Sequence, residues 1–69
     1  MRYEVVELFD EEPDQVVCLT DDEVSAAITF AKKVKDVSDN KEPGSYGAEF
    51  RDRQDKKFVR VTLEIGEME

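Results

Sequence analysis

Carboxylates are the side chains of this sequence that could do chemistry, and their uncompensated charge falls in the first 23 residues. That segment holds nine acids and one base, Arg2, whereas residues 24–69 hold nine acids and nine bases. The net charge of −8 therefore belongs to one third of the chain. Charge concentrated in this way produces a directed field that can attract and orient a basic partner. The acidic residues that we predict to contact a partner are Glu4, Glu7, Asp10, Glu11, Glu12, Asp14, Asp21 and Asp22.

Catalysis by these carboxylates is not indicated. General acid–base catalysis requires one carboxyl group whose pKa is raised by burial, beside a second carboxyl group that stays ionised. The acids here cluster in a predicted turn and at a predicted helix start, where water keeps them ionised. The sequence also contains no histidine and no catalytic motif. We therefore expect a protein that is not an enzyme and that binds no cofactor.

The acidic run at residues 10–14 offers oxygen ligands, but its spacing does not match a calcium site. An EF-hand loop that begins at Asp10 needs glycine at its sixth position and glutamate at its twelfth, where this sequence has Gln15 and Asp21. An ordinary zinc site is excluded because the chain has no histidine and a single cysteine, Cys18. We expect no metal, and we interpret Cys18 as a small core residue.

Direct binding to nucleic acids and insertion into membranes are both disfavoured. Acidic residues interleave with the bases of residues 51–60, and the net charge of −8 repels phosphate. The segment Glu42–Gly47 lacks the lysine and hydroxyl residue of a phosphate-binding loop, so its glycines indicate turn geometry. No apolar run of about 18 residues occurs, and the N-terminus has no signal-peptide pattern. Together with the single thiol, this predicts a cytoplasmic protein.

One helix is predicted from about Asp21 to about Val37. Thr20 and Glu23 have the spacing of a capping box, in which each side chain accepts a hydrogen bond from the other's backbone amide. Acidic residues then fill the first turn and lysines the far end, as the helix dipole favours. The apolar positions recur at steps of three and four and predict the buried face. They are Val24, Ala27, Ile28, Ala31 and Val34, with Phe30 and Val37 widening the stripe.

Four segments alternate with a two-residue period and are predicted to be strands. The sequence leaves open whether residues 1–19 form one strand or two. Apolar residues on both sides of the first strand indicate either a central strand or an interface. The predicted fold is a single α+β domain over residues 1–69, a four-stranded antiparallel sheet with one helix across one face, in the order β-β-α-β-β. The strand segments are Tyr3–Phe9, Gln15–Leu19, Tyr46–Arg51 and Phe58–Ile65.

These features favour a small acidic binding protein that occupies a basic surface of a nucleic-acid-binding partner. It would act as an inhibitor or neutraliser that mimics nucleic acid, and its size and charge resemble those of phage-encoded inhibitors. Solubility is the competing explanation for the acids, although it accounts better for the helix start than for the turn. The alternative function is an assembly module that self-associates through a sheet edge or through the sheet face exposing Phe58, as a homodimer rather than a monomer.

Overall fold

The described part of the chain forms four strands and one helix in the order β-β-α-β-β, as the hydrophobic patterns predict. A computed structural model describes residues 1–9, 13–40 and 42–69 of the protein. The N-terminal segment forms two strands, which decides between the alternatives that the sequence left open. The elements are β1 (Tyr3–Phe9), β2 (Gln15–Thr20), α1 (Glu23–Asn40), β3 (Gly44–Asp52) and β4 (Lys57–Ile65).

A single antiparallel sheet contains the four strands in the spatial order β2-β1-β3-β4, and α1 packs across one face of it. Tyr3 pairs with Asp52, so the end of the sheet that they form also carries the β2–α1 connection and the β3–β4 turn. At the opposite end Phe9 pairs with Tyr46, near the last turn of α1. We refer to these as the Tyr3 end and the Tyr46 end. The predicted α+β architecture is confirmed.

β1 is a central strand that is covered on both faces. Val5 and Val6 point to opposite faces, and their exposed fractions are 0% and 1%. Val5 pairs with Phe50 on the helix side, whereas Val6 pairs with Glu49 on the face without the helix. The central position of β1 therefore explains why both of its sides are apolar. This is one of the two interpretations that the sequence allowed.

The core on the helix side is built around three aromatic rings. The Phe50 ring lies 5.7 Å from the Tyr3 ring and 6.2 Å from the Phe30 ring, between centroids, and the Phe30 contact is edge-to-face. Such pairs stabilise beyond the area they bury. Tyr3 packs with Val5 and with Ala26 of α1, and the half-buried Cys18 lies against this group. Cys18 is thus a packing residue, as predicted.

The helix begins later than predicted and has a different cap. Asp22, not Thr20, is the N-cap residue, because its Oδ1 accepts the Val24 amide at 3.0 Å and its Oδ2 accepts the Ser25 hydroxyl at 2.7 Å. Thr20 Oγ1 accepts the Asp22 amide at 3.0 Å, which forms a turn before the helix. Glu23 accepts the Tyr3 hydroxyl at 3.4 Å instead of reaching back to Thr20. The predicted capping box is therefore wrong.

The buried face of α1 is also rotated relative to the prediction. Ala26 and Val37 are buried and Phe30 is half-buried, whereas Val24 and Ile28 are 66% and 51% exposed. Ile28 lies about 160° around the helix from Phe30, because each residue advances the helix by about 100°. Docking of the large Phe30 ring on Phe50 therefore turns Ile28 towards solvent. The predicted stripe gave equal weight to small and large apolar residues, and the aromatic contact decides the orientation.

The segment between α1 and β3 is shorter than its composition suggests. The helix runs three residues past the predicted end at Val37, and β3 starts two residues before Tyr46. Gly47 lies within β3, where a Cβ atom would come within 3.2 Å of Leu8 Cδ1 and of the Val61 carbonyl oxygen. Glycine at position 47 thus allows close packing rather than a turn, which corrects the interpretation of this residue.

Candidate functional site

Glu4 and Glu7, the two predicted contact residues within β1, point to opposite faces of the sheet. Glu4 lies on the face without the helix, where its Oε1 accepts a hydrogen bond from Arg51 Nη1 at 2.9 Å. Glu7 lies on the helix side, with its Oε2 3.8 Å from Lys33 Nζ. The structure therefore does not bring these two carboxylates into one surface, and each faces a base of its own chain.

Asp21 and Asp22 lie at the Tyr3 end and serve the chain itself. Asp21 Oδ1 accepts the backbone amide of Arg2 at 2.8 Å, which fixes the N-terminal residues against the β2–α1 connection. Asp22 caps the helix, and the hydrogen bond from the Ser25 hydroxyl, followed by that from the Val24 amide, holds the pKa of Asp22 below its usual value. These two residues are separated from the Tyr46 end by the length of β1, about 20 Å.

β1 ends and β2 begins at the Tyr46 end. Asp14 is exposed and directly precedes Gln15, which pairs with Glu7. Asp10, Glu11 and Glu12, which we predicted as contact residues, lie outside the described residues. Of the predicted contact residues that the structure describes, Asp14 and Glu7 are therefore the ones that lie at the Tyr46 end.

An acidic cleft of about 400 Å³ opens at this end, between the last turns of α1 and the sheet. Asp36 and Asp39 from the helix and Glu7 from β1 contribute its carboxylates, and Lys33 and Lys35 are the lysines paired with Glu7 and Asp39. Within α1, all of whose residues are described, no basic residue lies in the last turn. Because the carbonyl end of a helix carries partial negative charge, the helix adds to the negative potential here. The lining residues are Glu7, Asp36, Val37, Asp39, Asn40 and Tyr46.

Sequence reasoning missed Asp36 and Asp39 because it considered only the acidic first third of the chain. A usable signal was present, since acids near a helix C-terminus oppose the helix dipole and are therefore unfavourable there. The contribution of Glu7 could not be foreseen in the same way, because it depends on how β1 is oriented under the helix.

The face of the sheet without the helix carries a ladder of ion pairs centred on Glu49. Glu49 is 3% exposed, and its carboxylate accepts Nε–H hydrogen bonds from Arg51 and from Arg60, each at 2.6 Å. Burial favours the neutral form of Glu49, but these two hydrogen bonds outweigh burial and hold its pKa below the usual value. Arg51 also binds Glu4, so the ladder links β1, β3 and β4. On this face of the β3–β4 hairpin, the basic residues therefore alternate with acidic ones.

β4 exposes large apolar side chains near the Tyr3 end. Phe58 is 60% exposed on the face without the helix, and Val59 is 57% exposed on the helix side. The Arg60 guanidinium lies 5.0 Å from the centroid of the Phe58 ring and covers part of it. β4 is an edge strand, so both residues lie at the margin of the sheet.

Comparison with known proteins identifies no relative: no protein-family model, curated protein or solved structure matches this chain. Within residues 1–9, 13–40 and 42–69, no three acidic or cysteine side chains come together in a way that could hold a metal ion. In the same part of the chain, α1 is too polar to span a membrane.

Proposed function

We propose that this chain is a small non-enzymatic binding protein whose Tyr46 end occupies a basic surface of a partner protein. Nucleic-acid-binding proteins, such as nucleases, polymerases and RNA-guided effectors, present the most strongly basic grooves. A chain that fills such a groove acts as an inhibitor or neutraliser in place of the nucleic acid. We also propose that the protein acts in the cytoplasm and that a phage encodes it. The phage origin rests on an analogy of size and charge.

The acidic cleft is the observation that supports this proposal most. Its carboxylates lie around the negative end of α1, and Asp14 lies at the same end of the sheet, next to Gln15, which pairs with Glu7. The internal partners of the cleft are lysines, which bind carboxylates as single point charges. An arginine of a partner protein can bind a carboxylate through two parallel hydrogen bonds and can therefore displace a surface lysine.

The proposed contact residues differ from those suggested by sequence. Glu7 and Asp14 remain, and Asp36 and Asp39 are added. Asp10, Glu11 and Glu12, which lie outside the described residues, are retained from the sequence prediction. Glu4 is engaged on the opposite face, and Asp21 and Asp22 lie at the other end of the sheet. These three contribute to the long-range field rather than to the contact itself.

Charge reversal at matched positions tests this proposal with a fluorescent nona-arginine peptide as the basic probe. Asp36→Lys and Asp55→Lys change the net charge equally, but Asp55 lies in the β3–β4 turn at the Tyr3 end. At low salt, fluorescence anisotropy is expected to show affinity reduced about fivefold or more by Asp36→Lys and less than about twofold by Asp55→Lys. Equal effects of the two substitutions would contradict a localised site. A variant that combines Glu11→Lys, Glu12→Lys and Asp14→Lys is a second test: unchanged binding by this variant, with an intact thermal melt, would also contradict the proposal.

Self-association through β4 is the second candidate function. It is supported by the edge position of β4 and by the exposure of Phe58 and Val59. Burial of apolar area depends little on ionic strength, whereas docking of an acidic surface on a basic one weakens as salt is added. Sedimentation of the chain at two ionic strengths tests this candidate: a dimer that salt does not dissociate supports it, and a monomer at both argues against it.

A further inference from the structure

β4 is the more open of the two sheet edges. It has nine residues in continuous register with β3, from the pair Gly44–Ile65 to the pair Asp52–Lys57. β2, at the other edge, has six residues and a register shift opposite Val5 and Val6. A long regular edge presents a row of unpaired amides and carbonyls, and natural proteins usually shorten, bulge or cover such an edge.

We propose that two copies of this chain pair antiparallel along β4, with Thr62 of one copy opposite Thr62 of the other. This inference rests on the second candidate function, self-association, and specifies its geometry. The two sheets join into one sheet of eight strands around a twofold axis through the Thr62 pair. Residues at equal distances before and after Thr62 then lie opposite each other, on the same face of the joined sheet.

The charged residues of β4 are complementary in this register. Arg60 lies opposite Glu64 of the second copy, and symmetry repeats the pair. Arg60 uses Nε to bind Glu49 and its side chain is 51% exposed, so its guanidinium can bind a second carboxylate from a neighbouring strand. If pairing continues two residues beyond Ile65, Lys57 lies opposite Glu67 of the second copy. Opposite charges directly across from each other stabilise antiparallel pairing.

The apolar residues of β4 match in the same register. Val59 lies opposite Ile65 of the second copy, and Val61 lies opposite Leu63. These four residues lie on the helix side, because they pair with the helix-side positions of β3. Val59 is 57% exposed and the other three are half-buried, so each retains an outer flank that a neighbouring strand covers.

Other registers lose this match. With Val61 or Leu63 at the centre, Arg60 faces Thr62 or Gly66, and Glu64 faces Phe58 or Thr62. With Arg60 or Glu64 at the centre, a charged residue faces its own copy, which is destabilising. Of these five centres, Thr62 alone places both Arg60 and Glu64 opposite a residue of opposite charge.

Two glutamate variants test the proposed ion pairs. Glu64→Lys places lysine opposite Arg60 at two symmetry-related positions, whereas Glu69→Lys makes the same charge change beyond the paired strand. By sedimentation equilibrium, Glu64→Lys is expected to weaken dimerisation about tenfold or more and Glu69→Lys about twofold or less. Both are exposed, and circular dichroism verifies that each variant folds.

Oxidative cross-linking tests the register. In a Cys18→Ala background, Thr62→Cys places two thiols directly opposite each other, and opposed residues have Cα atoms about 4.5–5.5 Å apart, within the range of a disulfide. Phe58→Cys is the control, because its thiols lie eight residues apart along the paired strands. Rapid cross-linking of Thr62→Cys alone supports the proposal. If the chain dimerises but both variants cross-link equally, or Phe58→Cys reacts faster, the proposed register is wrong although self-association stands. If the native chain remains monomeric, both the register and self-association are wrong.

Discussion

Arg2 and Asp52 form a bidentate ion pair that ties the N-terminus to the β3–β4 turn. Arg2 Nε donates to Asp52 Oδ1 at 2.9 Å and Arg2 Nη2 donates to Oδ2 at 2.8 Å, while Oδ1 also accepts the backbone amides of Gln54 and Asp55. The hydrogen bonds from Arg2, opposed by partial burial, lower the pKa of Asp52 to about 2. One carboxylate therefore orders the N-terminus and the turn together.

The stability contributed by Asp52 is expected to depend on pH. Because its pKa in the folded state is about 2 and lies below the ordinary 3.8, the contribution is complete above pH 3.8 and is lost as the pH falls towards 2. Asp52→Asn should therefore lower the melting temperature at neutral pH, and this difference should shrink in acid. Circular dichroism melts over this range measure it. Asp55→Asn, whose contact with Arg2 is 3.4 Å, is the control, and a pH-independent difference would contradict the account.

Removing the charge of Glu49 is expected to destabilise the fold. Glu49→Gln keeps the shape of the side chain but leaves Arg51 and Arg60 without a shared carboxylate, so the free energy of unfolding should fall by about 1–3 kcal/mol. Urea denaturation measures this change. Glu69→Gln, at an exposed position beyond β4 and outside the ladder, should change the stability by less than about 0.5 kcal/mol. Comparable losses in both variants would show that the ion-pair ladder has no special role.

Adding one methyl group at Gly47 is expected to disturb the sheet. The Cβ atom of Gly47→Ala would lie within 3.2 Å of the Val61 carbonyl oxygen, and a backbone atom cannot move aside without shifting β4. The expected loss is about 1–3 kcal/mol, measured by urea denaturation. Gly66→Ala is the matched control, because no atom of the described residues lies within 4 Å of its Cβ position. A stable Gly47→Ala variant would mean that β3 and β4 are further apart than described.

The orientation of α1 can be tested by comparing two truncations. Phe30→Ala removes the ring that contacts Phe50 and should cost about 3 kcal/mol, whereas Ile28→Ala, at a 51% exposed position, should cost less than about 1 kcal/mol. Chemical denaturation gives both values. A larger loss of stability for Ile28→Ala than for Phe30→Ala would show that Ile28 is buried, as the amino-acid spacing predicted.

Local patterns predicted the elements but not how they meet. The strand alternation located β1 and β4 to within one residue because it depends on the pleat of the strand itself. The predicted buried face of α1 was wrong because Phe30 packs on Phe50, a residue twenty positions away in another element. The same limit applies to the candidate site. Glu4 and Glu7 look alike in the sequence, yet their partners Arg51 and Lys33 are supplied by different elements on opposite faces.

The acidic Tyr46 end is the proposed contact surface for a basic partner. The most direct test is to titrate the isotope-labelled chain with the nona-arginine peptide and to follow its backbone amides by NMR. We expect saturable shifts that are concentrated at Glu7, Asp14 and residues 36–40 and that diminish as salt is added. Shifts centred on Asp21 and Asp22, or small shifts spread evenly over the chain, would contradict it.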